Sequence, residues 1–102
     1  MFENYRITNG PGALNIYNSS NSRLCVDKAY DSLYLSYENG KDIIIGYGPK
    51  TLENQIGNIN TNEMKEQFIL MCLCALKHLK DHPIIIAKIN IIINPFMQKY
   101  YK

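Results

Sequence analysis

No apolar run in this chain reaches the length of a bilayer, there are only two arginines, and the three cysteines form no CxxC pair. Each shortage removes a class of function. A membrane helix needs about 20 consecutive apolar residues. Residues 68–76 and 84–93 are too short, and Lys77, Lys80, Asp81 and Lys88 bound or interrupt them. The opening Met1-Phe2-Glu3-Asn4 lacks the basic-then-apolar layout of a secretory signal. Without such a signal, the odd set Cys25, Cys72 and Cys74 is expected as reduced thiols in the cytoplasm.

What is present is an ordinary globular composition, 46% apolar over 102 residues. That length suits one domain, residues 1–102, burying about two-thirds of its unfolded surface. The net charge is +2, divided as −1 over residues 1–60 and +3 over residues 61–102. Such a mild asymmetry is met by solvation of a helix end and a tail, and calls for no anionic partner. Asn and Ile are abundant, and lysines outnumber arginines nine to two. These are biases of AT-rich coding, as in an AT-rich cell, phage or virus.

The first sixty residues read as short strands with turn punctuation. Residues 5–8 and 13–17 flank Asn9-Gly10-Pro11-Gly12, where glycine can supply a positive φ and proline fixes its own. Residues 18–22 form a polar loop, and residues 23–29 a weaker strand. Around Asn39-Gly40, Leu33, Leu35 and Tyr37 alternate on one strand, and Ile43, Ile45 and Tyr47 on the next. A two-residue loop would set those groups on opposite faces. A three-residue loop pairs Tyr37 with Lys41 and puts both groups on one face, so burial selects a type I turn with a glycine bulge. Residues 51–59 carry no clear period.

The last forty residues carry the core. Asn60 and Glu63 have the spacing of a capping box ahead of a helix over residues 64–79. Lys77, His78, Lys80 and His82 crowd its negative end, and Pro83 is expected to stop it. Met64, Phe68, Ile69, Cys72, Ala75, Leu76 and Leu79 share one face; Leu70, Leu73 and Cys74 fall opposite, either under another segment or open to a partner. Residues 84–93, apolar on both alternating faces, read as a central strand, and residues 96–101 as a last helical turn.

No constellation amounts to a catalytic site. Cys74, His78 and His82 lie on one helical stripe, but its ends are about 12 Å apart, too far for one metal ion. A Cys74–His78 nucleophile would lack an oxyanion site and an orienting third group. Asp27 and Asp31 near a turn are commonplace, and Gly46-x-Gly48 and Gly10-Pro11-Gly12 lack the rest of a nucleotide-binding motif. Lys77, Lys80, Lys99 and Lys102 with Phe96, Tyr100 and Tyr101 could meet nucleic acid, yet a snorkelling helix end and a packed tail explain them better. Of the eight tyrosines, Tyr34 must project from the face opposite Leu33 and Leu35, toward solvent or a partner.

The expectation is an α+β fold: an antiparallel sheet of about five or six strands packed against one long helix, with a short C-terminal helical turn. Functionally it is a non-enzymatic protein-binding module without cofactor or metal, an inhibitor of phage or mobile-element type that occludes a host defence protein in the host cytoplasm. Its partner-binding positions are Tyr34, Leu70, Leu73, Cys74 and Lys77. Nucleic acid and membrane are disfavoured as partners. The alternatives are a homodimer formed through Leu70, Leu73 and Cys74, and a small enzyme or nucleotide-binding domain whose site comes from distant residues.

Overall fold

A computed structural model describes residues 4–19, 22–29, 32–36, 42–45 and 62–100. Five strands, β1 (Arg6–Asn9), β2 (Ala13–Tyr17), β3 (Arg23–Asp27), β4 (Ser32–Ser36) and β5 (Asp42–Ile45), pair in chain order as an antiparallel meander. Two helices follow, α1 (Asn62–His78) and α2 (Pro83–Tyr100). The α+β class, the antiparallel sheet and the helix expected over residues 64–79, here α1, are as expected; the second helix is not.

Alternation builds the sheet's inner face. Leu14, Ile16, Leu24, Val26, Leu33 and Leu35 are all fully buried. Register aligns them into two cross-strand rows, Ile16–Leu24–Leu35 and Leu14–Val26–Leu33. Leu33 lies opposite Ile45 and Leu35 opposite Ile43, the register that a three-residue loop after Tyr37 requires. The loop itself, the region 51–59 and Asn60 of the expected capping box lie outside the described residues. In the turn after β1 the Gly10 amide donates to the Ala13 carbonyl at 3.0 Å. Neither Gly10 nor Gly12 has a left-handed φ, so that turn does not draw on glycine's freedom.

Helix α1 packs on β2 and β3 and is met on another side by α2. Phe68, Ile69, Met71, Cys72, Cys74 and Ala75 are therefore all buried, covering most of the helix circumference. Two side-chain bonds tie the helix to the strand loops. Asn18 Nδ2 donates to Gln67 Oε1 at 2.9 Å, and Asn9 Nδ2 donates to the His78 carbonyl at 3.2 Å. Asn18 Oδ1 also accepts from the Ser22 amide at 2.9 Å, closing the polar loop.

The segment 84–93 is a correction: it is helix, not a central strand, and the expected terminal turn is the far end of the same helix α2. Pro83 does not merely stop α1. It opens α2, where its missing N–H is no loss, and the Ile86 amide makes the first helical bond to the His82 carbonyl at 3.0 Å. Two effects compete here. Isoleucine costs a few tenths of a kcal/mol per residue in a helix. Burying Ile85, Ile89, Ile92 and Ile93 along one side returns about 1.5–3 kcal/mol each, and burial wins. As a strand, the segment would have needed an interior slot, and β2, β3 and β4 already have neighbours on both sides. Among the described residues there are thus two long helices where one was expected.

Candidate binding surface

The sheet's other face carries the side chains that alternate with the core. Register brings Arg6, Tyr17, Arg23 and Ser36 into one cross-strand row, and Thr8, Asn15, Cys25 and Tyr34 into the next. Arg6 and Thr8 are exposed, and Asn15, Tyr17, Arg23, Cys25 and Tyr34 are half-buried. Both arginines of the chain therefore flank Tyr17. The Arg6 guanidinium sits over the Tyr17 ring, 4.4 Å from its centroid, a cation–π arrangement that holds a long side chain flat on the sheet. Beside this row, Asn15 Oδ1 is buried and receives no hydrogen bond among the described residues.

Of the positions singled out by sequence, Tyr34 is on this face, next to Cys25 in its row. Leu70, Leu73, Cys74 and Lys77 are on α1, away from it. Cys74 is fully buried, and Leu73 packs half-buried against the core. Leu70 is half-buried and Lys77 exposed. The second apolar set of α1 is thus largely under other elements, because α2 covers what a lone helix on a sheet would leave open. Tyr30, Tyr37 and Tyr47 lie outside the described residues.

The thiols and histidines make no nucleophilic pair. His78 Nδ1 is engaged 3.0 Å from the Cys74 carbonyl oxygen. Burial pushes the Cys72 thiol far above its ordinary value; it also raises Cys74, against the lowering influence of Lys77. Both are protonated and poorly nucleophilic at neutral pH. Asp27 Oδ1 accepts from the Ala29 amide at 3.0 Å, a local turn bond, and Asp31 lies outside the described residues. Among the described residues no three His, Cys, Asp or Glu side chains gather as a metal site needs.

A cavity of about 210 Å³ opens between Lys28 and the start of α2, lined by Lys28, Asp81, His82, Pro83, Ile84 and Ile85. Neither His78 nor Asp27 lines it. Lys28 already donates to Asn9 Oδ1 and, at 2.8 Å, to the Gly10 carbonyl. That makes it a brace between two turns rather than a group held for a ligand.

Sequence reasoning missed Arg6, Tyr17 and Arg23. Each alternates with core residues, which signals an outward direction, but only the cross-strand register shows that three strands bring them together. It also missed two exposed isoleucines of α2, Ile84 and Ile91. No helix among the described residues is long and apolar enough to cross a membrane. Comparison with protein-family models, with curated proteins and with solved structures finds no match to this chain.

Proposed function

We propose that this chain is a small non-enzymatic protein-binding module that docks its partner on the outer face of the sheet. The observation carrying this reading is the row in which Arg6 and Arg23 bracket Tyr17, with Tyr34 in the adjoining row. Tyrosine and arginine are the residue types that dominate interface hot spots, because they combine apolar area with directional polar groups. Here they stand on a sheet whose opposite face is locked into the core, so little order remains to be lost on docking. Leu70, Leu73, Cys74 and Lys77 have no part in this reading.

The mode of action proposed is occlusion: a rigid sheet covering a functional surface of a host protein. The Asn- and Ile-rich composition, with lysine well ahead of arginine, fits an AT-rich phage or mobile element, for which inhibition of a host defence protein is the natural task. Affinity capture from nuclease-treated host lysate, read by mass spectrometry, tests it. One protein recovered near stoichiometry with the native chain and lost with Arg6→Glu is the expected result. Equal recovery by both, or none by either, sinks it.

A further inference from the structure

Helix α2 has two apolar faces, and the core uses one of them. Ile85, Ile89, Ile92 and Ile93 are buried, whereas Ile84 is 67% and Ile91 52% exposed. Ala87 and Asn94 are exposed between and beyond them. The positions 84, 87, 91 and 94 are spaced three, four and three residues apart, which is the a/d seam of a helix pair. At about 1.5 Å per residue the seam runs for ~15 Å, nearly three turns. It owes nothing to the sheet face discussed above, which lies across the molecule's core from the helices.

We infer that a second copy of this chain covers the seam, α2 lying parallel and in register against α2 around a two-fold axis. Four features favour a copy over an unlike partner. Every seam position is complementary to itself: isoleucine meets isoleucine, the small Ala87 lets the helices approach, and an asparagine amide is both donor and acceptor for its twin. The seam holds no ionisable group that a partner of opposite charge would be needed to match. Residues 83–102 contain no acid, so electrostatics must not force lysine onto lysine. In the parallel register Lys88 flanks Pro83 of the copy and Asn90 flanks Pro95, so like charges stay apart. Isoleucine at the a positions, 84 and 91, supplies the β-branched half of the pattern that favours two parallel strands, with Ala87 and Asn94 in place of leucine at d.

The seam is short, so its area falls below that of a tight dimer, and association follows concentration. Sedimentation equilibrium between about 10 μM and 1 mM should show the mass climbing from 11.8 kDa toward twice that value. Ile84→Lys with Ile91→Lys should stay at the monomer mass throughout while keeping the native circular dichroism spectrum, since both side chains lie outside the core. Asn94→Asp should weaken association at pH 7 and recover it at low pH, because it opposes two carboxylates only if the seam pairs with itself. Ala87→Cys in a Cys25→Ser background should oxidise to a covalent dimer, which only the parallel register allows. A native chain monomeric at every concentration would overturn the inference. So would a dimer indifferent to the double lysine variant, or a monomer that loses capture of a host protein through that variant.

Discussion

Asn9 donates its side-chain amide to the main-chain carbonyl of His78 at 3.2 Å, joining the end of β1 to the end of α1 across 69 positions of sequence. The same side chain accepts from Lys28 through Oδ1, so one asparagine ties two strand ends to a helix terminus. The carbonyl it meets is one of those that a helix end leaves without an internal donor.

Asn9→Ala removes both bonds. Each nets about 0.5–1.5 kcal/mol at an accessible site, so the expected loss is about 1–3 kcal/mol, read as a lower urea midpoint at unchanged slope. Asn9→Asp should fall between, since it keeps the Lys28 bond but sets a carboxylate beside the negative end of α1. A midpoint unmoved by Asn9→Ala would show that the clamp does not hold the helix to the sheet.

The helical state of residues 83–100 separates two isoleucines that a strand would place on one face. Ile89 is fully buried and Ile91 is 52% exposed. Ile89→Ala should therefore cost about 2–5 kcal/mol, and Ile91→Ala no more than about 0.5 kcal/mol. Comparable losses at both positions would return the segment to a β conformation.

Gly12 tests the turn between β1 and β2. A Cβ there meets nothing within 4 Å, and the backbone is not left-handed. Gly12→Ala should leave stability within about 0.5 kcal/mol of the native chain or raise it by restricting the unfolded state. A loss above 1 kcal/mol, on the order of the penalty for alanine at positive φ, would show that the turn needs glycine after all.

Stability should fall on the alkaline side. Burial raises the Cys72 and Cys74 thiols, and burial with the neighbouring Cys74 raises Tyr5. The folded chain holds these protons where the unfolded chain releases them, so stability is full below the unfolded thiol value, about 8.5, and declines above it. Melting temperatures from pH 7 to pH 10.5 should drop progressively, and Cys72→Ala should flatten part of the decline. A flat profile in the native chain would contradict the burial of these groups.

Much of the sheet was legible because a half-buried strand declares its faces. Leu14 and Ile16, Leu24 and Val26, and Leu33 and Leu35 alternate with polar or amphipathic neighbours, and keeping Leu33 and Leu35 on one face with Ile43 and Ile45 selects the register found between β4 and β5. The outward direction of Tyr34 followed from the same alternation. Helix α2 was not legible on that basis, since seven isoleucines carry strong β-propensity and fill both alternating faces. The contrary signals were the spacing of Ile85, Ile89, Ile92 and Ile93 and a proline at the first helical position. Misreading α2 concealed two consequences: Cys74 loses its exposure, and the outward seam of Ile84 and Ile91 appears. The row of Arg6, Tyr17 and Arg23 was hidden for a different reason, since side chains on three strands meet only once two registers are known.

The measurement that bears most directly on a sheet-face binding module is a backbone amide NMR titration of the labelled chain with its captured partner. Perturbed resonances should gather on β1, β2 and β3, with Arg6, Tyr17 and Arg23 at the centre and Tyr34 at the margin, while α1 stays still. Shifts confined to residues 84–94, or to the exposed end of α1 around Lys77, would place the partner elsewhere and contradict the account.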